Sequence, residues 1–427
     1  MSKKKRVIAI TFEDGRKIEC APQTHVRTLA SDGRSPQGLH YLGALVNNDV
    51  VSLSYPLEVD CELKLLTLAD SNGWRIYRRS VSFLLAKTVR ELFPHARFAV
   101  QHSMGAGYYC SFETNGEANG KSTPVTPETI AAIEQRMKEL VEQDIQIVRR
   151  KISYTDAVKQ FEQEGQRDKY NLLRYRNPPS IVIYECEGFS DLSHGPLAFS
   201  TGALGYFKLI PYAPGFVILF PERENAPHLP AFEPQPTLFN IFKEHKEWGR
   251  ILGVNTVGSL NEIIANGEIG DFIKIAEAFH EKKIARIADD IFARREQIKW
   301  ILIAGPSSSG KTTFAKRLAV QLRVNGLHPV TISVDNYFVD RDQTPRNEKG
   351  EFDFENIETI DLKLLNEHFE ALDRGGEVAM PYFNFEKGHR EMRGDKLKIA
   401  RDQMVIVEGI HALNPQLTQA VPAAHKI

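Results

Sequence analysis

The chain has 427 residues, of which 42% are hydrophobic and 26% charged; this composition excludes a disordered protein, and the length predicts about three domains. Its 54 Lys and Arg residues stand against 55 Asp and Glu residues, for a net charge of −1, which gives no general attraction to nucleic acids or membranes. The four cysteines form no CxxC pair, so a disulfide scaffold and a Cys-rich zinc module are both excluded.

The beginning of the chain predicts neither secretion nor membrane insertion. A basic stretch at 3–6 precedes only a short apolar run, Val7–Ile10, whereas a signal peptide has a longer apolar core. No run of about twenty apolar residues, the length that spans a bilayer, occurs elsewhere. The sequence therefore predicts a cytoplasmic protein with no membrane partner.

Residues 1–65 predict a small β-rich domain. The runs Arg6–Phe12 and Lys17–Cys20 flank Asp14-Gly15, and Asp-Gly between two such runs is typical of a β-hairpin. The other predicted elements are a short helix at His25–Ala30 and strands near Val51–Leu53 and Glu62–Leu66. No catalytic constellation is visible in this domain.

Residues 66–225 predict an α+β domain. Its predicted helices are Ser80–Phe93, ended by Pro94, a second one capped by Thr126, and a third from Thr155 toward Gly165. Its predicted strands are Ile181–Tyr184 and Phe216–Phe220. Residues 226–298 predict a proline-rich linker and then a helical connector, in which apolar residues recur every three or four positions between Phe272 and Phe292.

A phosphate-binding loop follows the predicted strand Trp300–Ala304. It reads Gly305-Pro306-Ser307-Ser308-Ser309-Gly310-Lys311-Thr312, which matches G-x-x-x-x-G-K-[ST], and a helix is predicted from Thr313 to Leu322. In such a loop the backbone N–H groups and the helix N-terminus bind phosphate oxygens, the lysine reaches the β- and γ-phosphates, and the hydroxyl ligates Mg²⁺. The predicted nucleotide-binding residues are Gly305, Ser307, Ser308, Ser309, Gly310, Lys311, Thr312 and Thr313.

Two carboxylates follow predicted strands downstream of this loop. Asp335 ends the strand His328–Val334, and Glu408 ends the strand Met404–Val407. Ligands of open parallel sheets bind at the carboxyl ends of the strands. Asp335 is therefore a candidate base for an attacking hydroxyl, with a cap of the next turn as the alternative, and Glu408 together with Thr312 is a candidate Mg²⁺ site.

The segment Met380–Arg390 combines three aromatic residues with a histidine and an arginine. These side chains suit an aromatic base, through stacking faces and hydrogen-bonding ends, and the alternative is a β-turn whose aromatic residues pack in the core. The chain lacks the Asn-Lys-x-Asp motif of GTPases and any basic domain. A phosphotransferase that acts on a small molecule remains.

Taken together, these segments resemble the uridine kinase/phosphoribulokinase family. The motifs that carry the resemblance are Gly305–Thr313, Ser333–Phe338, Phe352–Asn356, Pro381–Arg390 and Val407–Ile410. The resemblance implies that residues 299–427 form an α/β P-loop kinase domain on a parallel sheet. It implies ATP and Mg²⁺ as cofactors, and a nucleoside, most plausibly uridine or cytidine, as the substrate that is phosphorylated on its 5′-hydroxyl.

The same resemblance implies roles for individual residues. Asp335 is then the base for the acceptor hydroxyl, Lys311 acts on the transferring phosphate, and Asp353 contacts the sugar. The nucleoside pocket is then lined by Tyr382, Phe385, His389 and Arg390. Uridine kinases usually have Tyr-Asp where this chain has Phe383-Asn384, which keeps a kinase for another sugar or sugar phosphate as the alternative.

The front of the chain resembles other proteins. Residues 1–65 look like a β-grasp TGS domain, and residues 66–225 look like the second additional domain of threonyl-tRNA synthetases, through Arg79–Pro94, Val100–Ser103 and Asp191–Pro196. The metal-ligand positions of that editing domain are occupied here by Arg79, Phe83, Ser193 and Leu197. None is a ligand type, so we expect neither a metal site nor editing, and we expect His102 and His194 to be structural.

The order of these domains resembles that of bacterial TGS-containing nucleoside kinases. Such kinases continue after the Glu-Gly strand with a helix, a strand and an arginine-bearing lid, where this chain ends at Ile427. We therefore expect a C-terminally truncated form with an incomplete sheet, which binds ATP weakly and turns over poorly. A nucleotide-gated RNA- or tRNA-binding regulator is the other alternative, with phosphate contacts from Arg75, Arg78, Arg79, Arg149, Arg150 and Lys151, and a homo-oligomer is left open.

Overall fold

The computed structural model describes residues 6–30, 33–113, 125–176, 178–348, 350–400 and 403–427. The chain divides into two compact units, Met1–Ala265 and Asn266–Ile427. The predicted linker and connector, 226–298, is thus shared between them. Within the described ranges no helix has the length and apolar character needed to cross a bilayer.

The first unit contains fourteen described strands and six described helices. The strands are β1 (Ile8–Phe12), β2 (Lys17–Cys20), β3 (Thr24–His25), β4 (Gly43–Val46), β5 (Asp49–Ser52), β6 (Pro56–Leu57), β7 (Cys61–Leu66), β8 (Arg97–Met104), β9 (Gly107–Glu113), β10 (Val148–Ser153), β11 (Ser180–Cys186), β12 (Phe189–Leu192), β13 (Lys208–Tyr212) and β14 (Gly215–Leu219). The helices are α1 (Ser71–Leu92), α2 (Pro127–Glu142), α3 (Tyr154–Gln163), α4 (Arg167–Arg174), α5 (Pro236–Ile251) and α6 (Val257–Ala265).

A five-stranded mixed sheet forms the first part of this unit, in the order β2-β1-β7-β4-β5. The β1–β2 hairpin predicted from Asp14-Gly15 is confirmed, because Ile8 to Thr11 pair antiparallel with Lys17 to Cys20 and Gly15 takes the positive φ of +82° that the turn requires. β1 and β7 are parallel. The helix expected at His25–Ala30 is a 3-10 helix, Val26–Leu29.

The remainder of the first unit packs helices on two further sheets, in the orders β13-β14-β9-β8 and β10-β11-β12. The helix capped by Thr126 is confirmed: the side-chain oxygen of Thr126 accepts a hydrogen bond from the N–H of Thr129 at 3.2 Å. The next helix begins at Tyr154 rather than Thr155, because the Ser153 side chain supplies its cap.

Helix α1 begins nine residues before the predicted Ser80, at Ser71. Its first turn lies close to the chain before it, since a Cβ on Gly73 would stand only 1.8 Å from the carbonyl oxygen of Thr67. Ile76 and Tyr77 are buried in the second turn of the helix. Three arginines interrupt the apolar spacing there, which is why the sequence pattern does not reveal the start of the helix.

The second unit has a parallel three-stranded sheet between helices. Its described elements are α7 (Ile269–Ala293), β15 (Trp300–Ala304), α8 (Lys311–Val324), β16 (Val330–Ser333), α9 (Leu362–Asp373), β17 (Glu377–Asn384), β18 (His389–Lys398) and β19 (Val405–Gly409). The strand order is β15-β19-β16, so β19 is central and all five of its residues are buried. Lys426 adds a parallel bridge to Trp300 at the outer side of β15.

Two hydrophobic cores cover this sheet. One joins α7 and α8 to it through residues such as Ile284, Leu318 and Ile406. The other contains Phe369 of α9 and the fully buried Trp300. β17 and β18 form a separate antiparallel hairpin. The predicted strands on both sides of the phosphate-binding loop are confirmed, with small shifts at their ends.

Candidate functional site

The loop after β15 has a backbone suited to anion binding. Gly310 has a φ of +85°, and Ser308 has a φ of +58°, which is uncommon for a residue with a side chain. A Cβ on Gly305 would lie 2.6 Å from the Oγ atom of Ser309. Helix α8 begins at Lys311, directly after the loop. The positive end of the helix dipole and its free N–H groups therefore face the loop.

A threonine and a glutamate are joined beside this loop. The hydroxyl of Thr312 donates a hydrogen bond to Oε2 of Glu408 at 3.2 Å. Register explains the position of Glu408, since it stands level with Ile303 of β15 and Ser333 of β16 on either side. Its side chain is buried. Because Mg²⁺ prefers oxygen ligands, this pair fits the magnesium site expected from the sequence.

Asp335 lies near both groups, in a short 3-10 helix that follows β16. Burial raises the pKa of its carboxyl group above the usual range, the ammonium of Lys311 acts against that shift, and the carboxylate of Glu408 adds to it. The structure therefore brings Lys311, Asp335 and Glu408 together at the carboxyl edge of the sheet. These residues come from three distant parts of the sequence.

The β17–β18 hairpin carries the aromatic residues of the predicted substrate pocket. The side chains of Tyr382 and Phe385 are exposed, and the Arg393 guanidinium lies 3.3 Å from the centre of the Tyr382 ring. Phe385 packs edge-on against Phe383, with ring centres 5.0 Å apart. A turn whose aromatic residues pack in the core and a substrate pocket are therefore compatible, because Phe383 is buried while Tyr382 and Phe385 are exposed.

His389 and Arg390 begin the second strand of this hairpin. Nε2 of His389 lies 3.6 Å from Oε1 of Glu391. The backbone N–H of Arg390 donates to Oδ1 of Asp340 at 2.9 Å, and its guanidinium pairs with Oδ2 of Asp361 at 2.9 Å. Arg390 therefore links the hairpin to the residues before α9.

Asp340 and Asp361 are residues that the sequence analysis did not single out. Burial alone would raise the pKa of Asp361, but the N–H of Leu364 and the Arg390 guanidinium hold it below the usual range. The one sequence signal at Asp361 is a helix cap, which the structure contains, since its carboxylate accepts from the N–H of Leu364 at 3.0 Å. Its partnership with Arg390 has no local signature.

Asp353 lies in a loop of its own. Its N–H donates to the carbonyl of Pro345 at 2.8 Å, and its Oδ1 accepts from the N–H of Glu355 at 3.2 Å. The carbonyl of Glu355 in turn contacts Nε2 of His411 at 2.8 Å. His411 follows β19 by two residues, so the loop of Asp353 is tied to the chain that leaves the sheet edge at Glu408.

In the first unit, the four positions that correspond to synthetase metal ligands do not assemble a metal site. Phe83 and Leu197 are buried in the hydrophobic core. The hydroxyl of Ser193 donates to the carbonyl of Gly195 at 2.7 Å, and the Arg79 guanidinium packs against Gly195. Across the described part of the chain, no group of three or more His, Cys, Asp or Glu side chains is placed to hold a metal.

A comparison with family models decides the class of the second unit. Residues 300–419 match the phosphoribulokinase/uridine kinase family. The second unit carries a kinase-family domain. This match spans the phosphate-binding loop, Asp335 and Glu408, and it supports a phosphotransferase activity. Kinases of this family generally use ATP and Mg²⁺, in agreement with the loop and the oxygen ligands beside it.

Solved structures to which this chain is similar include a possible uridine kinase from Bacillus stearothermophilus. It is 23% identical with a TM-score of 0.28, and the match covers 32% of this chain and 74% of that one. The D-glycerate 3-kinase from Cryptococcus neoformans is 21% identical with a TM-score of 0.25, and the match covers 31% of this chain and 52% of that one.

The N-terminal region is similar to threonine–tRNA ligases. Those of Desulforamulus reducens and Acetivibrio thermocellus are each 32% identical to this chain over 208 residues, which is 48% of this chain and 32% of the relative. The chain thus spans about a third of the length of these relatives. The kinase-family domain is a separate part of the molecule.

Proposed function

We propose that the second unit transfers the γ-phosphate of ATP to the 5′-hydroxyl of a nucleoside, with uridine or cytidine as the first candidates. The observation that carries this proposal is the grouping of Lys311, Asp335 and Glu408 at one edge of a parallel sheet, beside a phosphate-binding loop. The match of residues 300–419 to the phosphoribulokinase/uridine kinase family supports it.

In this proposal the phosphate-binding loop binds the phosphates, and the side-chain oxygens of Thr312 and Glu408 are the metal ligands. The backbone N–H groups of Gly305 and of Ser307 to Lys311 are the donors available to phosphate oxygens, since Pro306 has none, and the Lys311 ammonium offsets the negative charge of the phosphates. Thr312 and Glu408 are the residues that would hold Mg²⁺ or its water shell. The chemistry that Mg²⁺ would supply there is neutralisation of phosphate charge. The loop therefore orients the phosphates, and Lys311 supplies positive charge beside the γ-phosphate.

Asp335 receives the proton of the acceptor hydroxyl. As the hydroxyl oxygen forms its bond to the γ-phosphorus, the bond from that phosphorus to the β,γ-bridging oxygen breaks, ADP leaves, and the proton passes to a carboxylate oxygen of Asp335. A carboxyl whose pKa is raised by burial accepts a proton more readily than an exposed one. The ammonium of Lys311 opposes this rise in pKa and so favours the ionised form that the reaction requires.

The hairpin supplies the acceptor site in this proposal. Tyr382 and Phe385 present exposed aromatic faces on which a base can stack. His389 and Arg390 provide polar groups at the start of the second strand, and Asp353 provides a carboxylate for sugar hydroxyls. The ion pair of Arg390 with Asp361 fixes the guanidinium, so its remaining N–H groups are oriented before the substrate binds.

The proposal is tested by ATP consumption with a panel of nucleosides, other sugars and sugar phosphates as acceptors. We expect one nucleoside to stimulate consumption. Lys311→Ala is expected to lower kcat/KM by roughly 100- to 1,000-fold, and Asp335→Asn to lower kcat by roughly 100- to 10,000-fold while ATP binding is kept. Lys316→Ala, on an exposed face of α8, is the matched control and keeps full activity.

A sugar phosphate as the preferred acceptor would keep the kinase and overturn the nucleoside assignment. Loss of ATP binding in Asp335→Asn would overturn the role of Asp335 as a base, since a base acts on the acceptor and not on the nucleotide. If no acceptor stimulates ATP consumption while ATP still binds, the phosphotransferase proposal is wrong.

A further inference from the structure

Three arginines of the first unit lie on one face of α1. Arg75, Arg78 and Arg79 have the spacing i, i+3 and i+4, which places them side by side on a helix. Arg149 of β10 comes to the same region, because it stands opposite Tyr184 in the β10–β11 pair and Tyr184 lies within electrostatic reach of Arg79. Like charges at this spacing repel, so the cluster destabilises α1 unless another group compensates its charge.

None of these arginines has an acidic partner. Within the ranges that the structure describes, no carboxylate forms an ion pair with Arg75, Arg78, Arg79 or Arg149. The neighbouring carboxylates are already engaged: Glu185 pairs with Arg150 at 2.6 Å, and Asp191 pairs with Lys169 at 2.6 Å. The positive charge of the cluster is therefore uncompensated by the protein.

Two of the four guanidiniums are also partly removed from water. The Nε atoms of Arg78 and Arg79 are buried and have no hydrogen-bond partner. Burial lowers the pKa of both side chains below the usual range, and Arg75 adds to the shift at Arg79. A buried polar atom without a protein partner is rare in folded proteins, and a bound anion or water is one arrangement that satisfies it. Burying an unpaired charge is costly.

Arg78 and Arg79 have different surroundings. Arg78 lies near three aromatic rings, 4.2 Å from the centre of Trp74, 4.1 Å from that of Tyr108 and 5.2 Å from that of Phe220, so cation–π contacts compensate its charge in part. Arg79 has no such ring contact among the described residues. Its guanidinium lies instead against Gly195, where a Cβ would approach its Nη1 atom to 2.7 Å. The absence of a side chain at this glycine leaves the space that the guanidinium occupies.

We propose that Arg75, Arg79 and Arg149 bind a phosphate monoester in the first unit, at a site separate from the phosphate-binding loop. Three guanidiniums match the charge of a phosphate dianion better than that of a carboxylate, and each can donate two hydrogen bonds to its oxygens. The Tyr184 hydroxyl accepts a hydrogen bond from Arg149, which orients that guanidinium; burial raises the pKa of Tyr184, so its hydroxyl keeps its proton and serves as a further donor. The phosphate belongs to a free mononucleotide or to the end of an RNA strand.

The experiment is calorimetric titration of the full chain with inorganic phosphate, in a Lys311→Ala background that removes the contribution of the phosphate-binding loop. We expect Arg79→Gln to weaken phosphate binding at least tenfold, which is the size of a charge-assisted hydrogen bond. Arg79→Lys, which keeps the charge but loses the two-pronged geometry, is expected to weaken it less. Arg150→Gln is the matched control, because Arg150 is already paired with Glu185, and it leaves binding unchanged.

Thermal unfolding without phosphate separates binding from a structural role. If Arg79 serves phosphate, Arg79→Gln keeps or raises the midpoint in phosphate-free buffer, because it removes an uncompensated charge, and it abolishes the rise that phosphate causes in the parent. A lower midpoint without phosphate, with phosphate affinity unchanged, would show a structural arginine and overturn the proposal. Absence of phosphate binding, or equal binding by Arg79→Gln and Arg150→Gln, would also overturn it.

Two further titrations identify the source of the phosphate. A nucleoside 5′-monophosphate that binds more tightly than inorganic phosphate, and depends on Arg79, indicates a free mononucleotide. A short RNA with a terminal phosphate that binds more tightly than the mononucleotide indicates the end of an RNA strand. An RNA that binds equally with and without its terminal phosphate contradicts recognition of a monoester.

Discussion

The environment of Asp335 sets the pH range in which the proposed transfer works. Asp335 accepts a proton only when it is ionised, and burial raises its pKa above the value near 4 of an ordinary aspartate. The ionised fraction therefore falls as the pH drops through the raised pKa. A base in this position gives an acid limb in which kcat/KM decreases about tenfold per pH unit.

We accordingly expect the acid limb of kcat/KM to lie at higher pH than an exposed aspartate would give. The measurement is a pH profile of the parent beside the residual activity of Asp335→Asn. The variant has no carboxyl group at this position, so its profile should lack the limb. If the limb persists unchanged in Asp335→Asn, another group titrates and Asp335 is not the base.

At the level of elements, the hairpin of β17 and β18 is held to the rest of the second unit by Arg390. Its backbone and side chain reach Asp340 and Asp361, and Arg341 adds a bond from its guanidinium to the carbonyl of Phe385 at 2.9 Å. Gly388 permits this approach, because it has a φ of +72° and a Cβ there would meet Arg341 at 2.9 Å. These contacts position the aromatic faces of the proposed acceptor site.

Removal of the contacts that Arg390 makes with Asp340 and Asp361 should weaken binding of the acceptor more than binding of ATP. We expect Arg390→Ala to raise the KM for the acceptor roughly tenfold or more, since a partly buried charge-assisted contact is lost, and to leave the KM for ATP unchanged. Lys396→Gln is the control, because Lys396 pairs with Glu377 across the same hairpin and both are exposed. An equal rise of both KM values would indicate general loosening of the unit instead.

Local sequence signals predict an element well when all the residues that determine it lie in one short segment of the chain. The phosphate-binding loop, the cap of α2 by Thr126 and the Asp14-Gly15 turn each depend on residues that are neighbours in the chain. The early start of α1 depends on contact of Gly73 with Thr67, and the link from Arg390 to Asp361 depends on packing of distant segments. No periodicity reports such contacts, so the sequence analysis did not find them.

At the scale of the molecule, each unit has hydrophobic cores of its own. Leu84 and Phe216 belong to the largest core of the first unit, and Val407 and Phe369 to a core of the second. Both units therefore have the buried apolar area that an independently stable domain requires. Whether a ligand stabilises one unit or both can be read from unfolding curves.

We expect two thermal transitions, of which Mg²⁺ and ATP raise only that of the second unit. Ligand at about 100 times its dissociation constant adds roughly 2.7 kcal/mol of stability to the state that binds it. Differential scanning calorimetry with and without Mg²⁺ and ATP measures the shift, and Lys311→Ala should reduce it. An equal shift of both transitions, or a single transition throughout, would contradict independent units.

The central place of β19 has a consequence for the newly made protein. β15 and β16 pair only with β19 among the named strands of the sheet, and β19 is also the last of them in the chain. Until the ribosome has added β19, the backbone N–H and C=O groups of β15 and β16 therefore have no partner strand. Glu408, which accepts the hydrogen bond of Thr312, has also not yet been made. Sheet pairings so distant in sequence form late and leave unpaired strands exposed to aggregation. The nascent second unit is thus a candidate for chaperone binding until β19 has emerged, and only then can the hydrogen bond between Thr312 and Glu408 form.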